Sequence, residues 1–286
     1  MAPPTGRFAE FVAIDWSGAK GRHHRGIAVA RCTDVGAPAL VPPPSGDLWS
    51  RTAVAEWLLE RRDRPILVGF DFSFSAPFVT RGAHLPGETD SDDARGLWAY
   101  VDSHSADEDL GAASFLEQRR GRHFYLGAAD GVKRDFLHWR ACEVATDGST
   151  KPSTVFDAIG AAQVAKASFA GMRLLHRIDG HVAVWPFDPV PADGMVVVEI
   201  YTAIAARAAG MRKGRSKLRD AAALDRALAA LNCPPHVPLA RYDDHSTDAI
   251  LAAAWLRANA ADPDLWGPDG MTDQIAATEG WTFGVR

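Results

Sequence analysis

The chain has 286 residues, 47% of them hydrophobic, and a net charge of -5. That apolar share excludes global disorder and supports a sizeable core, and the length suits one domain, 1–286, that carries a large insertion. The acidic balance excludes an overall attraction to nucleic acid, so any such binding needs a local basic face.

Residues 11–15 form an apolar run closed by Asp15 and followed by the turn residues Trp16, Ser17 and Gly18. A second short strand is expected at 26–30, and a third only at Leu40 and Val41 within a Pro-rich stretch. Residues 51–62 read as an amphipathic helix with Ala53, Val54, Trp57 and Leu58 on one face. Residues 66–71 are apolar up to Asp71, as expected of a strand buried on both faces.

From about 74 to 190 the character changes. An acidic loop leads into aromatic and basic segments, among them the cluster Arg119, Arg120, Arg122 and His123, and then into a Gly/Ala-rich run at 159–166. A helix at 169–178 and a strand at 182–187 follow. This stretch is taken as a large, mostly helical insertion. Its Lys151-Pro152-Ser153 and Gly160 to Gln163 lack the Gly-Lys-Ser/Thr ending of a Walker loop, so packing is their default role.

Alternation then returns, with a strand at 196–200, helices at 203–209 and 218–231, and a helix through Ala258 capped by Ser246 or Thr247. Residues 280–285 make a short closing strand or tail. The order predicts an α/β fold with a mixed sheet and flanking helices.

Four carboxylates occupy element ends: Asp15, Asp71, Glu199 and Asp248. Asp15 and Asp71 end apolar strands, where open α/β sheets bind ligands, although Asp also suits turns. Neighbouring parallel strands would bring the two together. Glu199 interrupts the apolar run at 196–200 and needs a partner there, either the site or a salt bridge to Arg207. His245 and Asp248 are one helical turn apart and share a face. Converging carboxylates repel unless a cation or proton neutralises them, so a divalent metal site is the economical reading. The densest basic run holds Arg212, Lys213, Arg215, Lys217 and Arg219, and it offers a phosphate-binding loop as the alternative to plain solvated surface.

Three cysteines, Cys32, Cys142 and Cys233, are far apart in sequence without CxxC spacing, which argues against a disulfide framework and a structural zinc. No signal core precedes the first strand and no run is long enough to span a membrane, so a cytoplasmic protein without membrane contact is expected.

The strand Asp15, the Asp71 closing the fourth strand and the late-helix segment His245-Ser-Thr-Asp248-Ala-Ile250 resemble the RNase H-like fold in its RuvC-type version. The stretches at 13–20, 140–143, 151–153, 184–188, 198–201 and 279–284 are similar to an uncharacterised family of predicted nucleases with that fold, the domain of unknown function family 429. The resemblance covers most of the chain. It implies a nuclease in which Asp15, Asp71 and Asp248 bind Mg or Mn and hydrolyse phosphodiester bonds. Glu199 would complete the shell or orient water, and His245 would serve as ligand or proton carrier. Arg212, Lys213, Arg215 and Lys217 would hold the backbone of a nucleic acid or a nucleotide-like phosphate ligand. Two departures stand out: the acidic net charge, against long duplex substrates, and the large insertion, which would restrict the site to a small ligand.

Two other readings compete. In actin-like ATPases and sugar kinases a strand Asp is followed by a phosphate-binding turn, which Asp15 to Lys20 permits, with Lys20 near a phosphate. The bulky Phe72 and Phe74 oppose the second phosphate loop that such a phosphotransferase requires. The third reading is a non-catalytic binding module on the same fold.

Overall fold

A computed structural model describes residues 6–88, 91–146, 152–159, 164–212 and 217–286. The strands among them are β1 (Glu10–Asp15), β2 (Ala28–Thr33), β3 (Ala39–Leu40), β4 (Ile66–Asp71), β5 (Ala183–Val184) and β6 (Val196–Glu199). The helices are α1 (Arg51–Glu60), α2 (Ala94–Ser103), α3 (Ala113–Gln118), α4 (Ala141–Ala145) and α5 (Val164–Ile178) in the first two thirds. They are α6 (Thr202–Ala208), α7 (Ala221–Ala230), α8 (Asp244–Asn259), α9 (Pro263–Trp266) and α10 (Asp273–Thr278) in the last.

The six strands form one mixed sheet in the order β3-β2-β1-β4-β6-β5. The strands β1, β2 and β3 pair antiparallel, whereas β1, β4, β6 and β5 run parallel. The parallel strands β1, β4 and β6 are the most apolar, because helices cover both of their faces. The pleat divides the core in two. Val12, Ile14, Val68, Phe70 and Val197 join one cluster with α1 and α5. Ala13, Leu67, Val196 and Val198 join the other with α8.

Helix α8 lies across β1 and β2, with α6 and α7 packed against it. It is apolar almost all round, from Ala249 to Leu256, because it is buried between the sheet and those helices. Its cap is Asp243, whose Oδ1 accepts from Ser246 N at 3.0 Å. Ser246 and Thr247, expected as caps, therefore lie inside the helix; Asp243 wins because its carboxylate reaches the free amide of the first turn.

The stretch 74–190 does more than decorate the sheet. Its α5 packs on α1 and α2, and its β5 supplies the sheet edge next to β6. Gly18, in the turn after β1, presses on the start of α5. A Cβ there would stand 2.2 Å from the Lys166 carbonyl carbon, so no side chain fits. No helix among the described residues is long and apolar enough to cross a membrane.

Candidate functional site

Asp15 and Asp71 stand directly opposite each other in the parallel register of β1 and β4, so both side chains leave the same face of the sheet. That is the face α8 covers. His245, in the first turn of α8, joins its Nδ1 to Asp15 Oδ1 at 2.9 Å. Gly26 makes room for it: a Cβ there would lie 3.1 Å from Ser17 Oγ and 3.4 Å from His245 Cε1. Asp248 follows one turn later on the same helix. Asp71 is held from the other side, where Thr202 Oγ1 at the start of α6 donates to Oδ2 at 3.1 Å.

Burial, then the charges of Asp15 and Asp248, pushes the Asp71 carboxyl up to about 8. Burial, then the Asp15 charge, pushes Asp248 up to about 7. Burial also raises Asp15, against the opposing pull of His245. The bond to Asp15 raises His245 in turn. These three carboxylates thus sense one another, and apart from His245 no described basic side chain bonds to any of them.

Asp244, next to His245, takes the near end of the basic run. Lys217 Nζ lies 2.7 Å and Arg219 Nη1 2.9 Å from its carboxylate. Lys217 is close enough to lower Asp248 slightly, after the larger raising effects of burial and Asp15. Arg212 is exposed, and Lys213 and Arg215 lie outside the described residues. Lys20 is exposed and lines a separate cleft with Gly18, Gly21 and Arg51. Lys151 and residues 160–163 also lie outside the described residues. The second basic cluster is absorbed internally. Arg119 and Arg122 pair with Glu88, and Arg120 with Asp130.

Glu199 departs from the sequence expectation. It stands opposite Phe70, one residue before Asp71, and so leaves the other face of the sheet. Its carboxylate forms a two-pronged pair with Arg140, at 2.7 Å from Nη1 to Oε2 and 2.5 Å from Nη2 to Oε1. Phe74 N donates to Oε2 at 2.7 Å and Thr282 Oγ1 to Oε1 at 2.5 Å. The salt-bridge partner is therefore Arg140, not Arg207, whose Nη1 donates to Met211 O instead. With both oxygens committed, Glu199 has no free lone pair aimed at the Asp15 group, so the expected role as shell ligand or water-orienting group finds no geometry to support it.

Arg140 is completely buried and also binds Glu143 Oε1 through Nε and Glu279 O through Nη1, each at 3.0 Å. Glu279 accepts from the amides of Phe78, Val79 and Ala141. This polar cluster ties the loop after β4, the start of α4, the end of β6 and the segment after α10 into one unit. Its i, i+3 spacing, Arg140 to Glu143, was readable as a possible pair. Its three-way closure was not.

A pocket of about 270 Å³ opens past the strand ends, lined among others by Trp16, Asp71, Phe72, Arg140, Glu199 and Tyr201. Trp16 packs edge-on against Phe70 and tilted against Phe72, both at 5.5 Å between ring centres. Its indole Nε1 is buried without a hydrogen-bond partner.

The donor chemistry of Asp15, Asp71 and Asp248 fits a hard divalent ion, since carboxylate oxygens suit Mg and Mn and a cation would offset the burial that raises all three and the neighbouring charge that adds to it at Asp71 and Asp248. Among the described residues, however, no group of three or more His, Cys, Asp or Glu is drawn together as a ready ligand set. Loading would therefore need the three side chains to close in, with Asp15 Oδ2, the oxygen His245 does not engage, available to an ion.

No known family model, curated protein or solved structure matches the chain.

Proposed function

We propose that this chain is a metal-dependent phosphodiesterase of the RNase H-like, nuclease type, acting on a nucleotide-sized phosphoester. The observation that carries the reading is that Asp15 and Asp71 stand opposite each other on the sheet face α8 covers, with Asp248 on that helix near enough to raise Asp71, and with His245 the one described basic side chain bonded to the group. The acidic first strand, the acidic fourth strand and the late helix with His three residues before Asp are the features that resemble the RuvC-type RNase H-like fold. Asp15, Asp71 and Asp248 would hold the ion. Bound Mg or Mn would supply Lewis acidity toward the phosphate and a more acidic water.

The chain's own groups have separable tasks. With His245 Nδ1 engaged by Asp15 and the side chain half-exposed, Nε2 would be the atom that takes or gives a proton. Thr202 donates to Asp71 Oδ2 and so restrains that carboxylate. The pocket beside Asp71 would receive the organic part of the substrate. Trp16, Phe72 and Tyr201 offer aromatic surface of the kind on which a base stacks, and the Trp16 N–H lacks an acceptor that a ligand would provide. A pocket of this size favours a nucleotide or an unpaired strand end over a duplex.

Calorimetric titration of Mn into the wild type, Asp71→Asn and Asp248→Asn tests the first half. Wild type should bind and release protons, because two carboxyls raised toward neutrality must ionise, and each variant should bind at least tenfold more weakly. Manganese-dependent hydrolysis of short single-stranded oligonucleotides and nucleotide diesters tests the second half, with loss in Asp15→Asn. Equal metal binding by all three proteins, or equal hydrolysis by wild type and Asp15→Asn, would overturn the reading.

A further inference from the structure

Cys32 and Cys233 are 201 positions apart, yet their sulfur atoms lie 3.9 Å from each other. The sequence spacing argued against a disulfide framework, and all three cysteines are free, yet the fold brings these two thiols into contact. Cys32 sits on β2 with its side chain on the buried face. Cys233 follows α7, where Asn232 adopts a left-handed conformation, φ +53°, and Cys233 N returns to Leu228 O at 3.0 Å. Beyond it, Val237 N donates to Pro38 O at 2.9 Å, which fixes this linker along the β2–β3 turn. Arg257 of α8 bridges the two segments, with Nη1 on Asp34 O at 3.0 Å and Nη2 on Asn232 O at 2.5 Å. Both backbones that carry the thiols are thus held in place by bonds independent of the sulfur atoms.

We propose that Cys32 and Cys233 are a modification site that peroxide converts into an intrachain disulfide. The Cys233 thiolate, its proton released to solvent where the second water later regains it, attacks one oxygen of hydrogen peroxide; the O–O bond breaks, hydroxide leaves, and a sulfenic acid forms. The Cys32 sulfur, losing its proton to that hydroxide, then attacks the Cys233 sulfur. The S–S bond forms, the S–O bond breaks, and the second oxygen leaves as water once it has taken up a proton. Two thiols are oxidised by two electrons, and one peroxide is reduced to two waters. The sulfur atoms need to approach from contact to a bond of about 2.0 Å, a change within reach of side-chain rotation.

The order of attack follows from the surroundings. The hydrogen bond from Cys32, aided by the positive Arg257, holds the Cys233 thiol down at about 7 against its burial. The same contact and burial push Cys32 up. Cys233 is also the more accessible, at 6% against 1%. Cys142 is the internal control: it is buried beside Thr282 and pushed up to about 12, so it stays reduced. The new bond would tie β2 to the linker leading into α8, the helix that carries His245 and Asp248.

The test exposes the folded, reduced, full-length chain to hydrogen peroxide and follows intact mass, thiols titrated after denaturation, and linked peptides. The expected result is a mass lower by two hydrogens, a fall from three free thiols to one, and a Cys32–Cys233 cross-linked peptide. The thermal midpoint should rise by roughly 5 °C and return on treatment with dithiothreitol. Cys32→Ser should show none of these changes, and Cys32→Ala serves if the serine variant folds poorly. Oxygen added to Cys233 without a cross-link, an interchain dimer through Cys233, or three thiols remaining would each overturn the proposal.

Discussion

Glu199 and Asp71 end neighbouring parallel strands, one residue apart in register, and leave opposite faces of the sheet. On the Glu199 side, a single guanidinium pairs with two buried carboxylates, Glu143 and Glu199, a third, Glu279, is held by backbone amides, and every one of their oxygens accepts at least one hydrogen bond. On the Asp71 side, Asp15 has one His245 contact, Asp71 has Thr202, and no described residue donates to Asp248. Both groups contain three acids close to the strand ends. The first is compensated from within the chain and so works as a clasp. The second lacks such a set of donors; burial raises its carboxyls, as it raises Glu143 in the clasp, and neighbouring Asp charges add to the rise at Asp71 and Asp248. A buried acid marks a site for an external cation only where the chain has not already supplied the partner.

Removing the clasp should have the largest effect. Arg140→Met leaves Glu199 and Glu143 buried without their partner and should cost about 3–5 kcal/mol in denaturant unfolding, or prevent folding. A loss below about 1 kcal/mol would abolish the distinction between the two groups.

Asp71→Asn should do the reverse in metal-free buffer. A carboxyl whose folded pKa is raised to about 8 stabilises the fold below its ordinary value, near 4, and that contribution is lost as pH rises through about 8. Wild type should therefore lose stability from about pH 5 to about pH 8.5, while the variant stays flatter and is more stable at the upper end by about 1–2 kcal/mol. Thermal unfolding across that range, without and with Mn, checks the sign. A wild type that gains stability with rising pH would mean that the Asp71 group is already neutralised.

The smallest effect belongs to the rim. Lys217→Ala removes an exposed ion pair to Asp244 and should change stability by less than about 0.5 kcal/mol. Metal affinity should rise slightly, because a positive charge near Asp248 is lost. A large loss of oligonucleotide binding in this variant, at constant metal affinity, would give the lysine the phosphate-holding role that its surface pairing alone does not require.

Much of the framework was legible from local pattern. Residues 66–71 matched β4 end to end, α1 began at Arg51, and the mixed α/β character followed from the alternation of elements. Errors were small where propensity was weak: β2 begins at Ala28 rather than residue 26, and α7 at Ala221 rather than 218. The expected helix at 169–178 extends back to Val164, because burial against α1 and α2 holds its first turn in place.

The candidate site divides in the same way. The sequence alone singled out Asp15, Asp71, His245 and Asp248, because strand ends and a one-turn spacing are local features. It also raised Glu199 as a buried acid that needs a partner, and that need is real. Which partner it has was undecidable, because residues 196–198 are apolar on both faces, so no alternation reveals which way residue 199 points. Only the pairing of β6 with β4, and the arrival of Arg140 from 59 positions away, assigned Glu199 to the clasp. The contact of Cys32 with Cys233 is of the same kind. Local periodicity decides which residues are buried or end an element; register and long-range packing decide what they meet, and no short window of sequence contains that information.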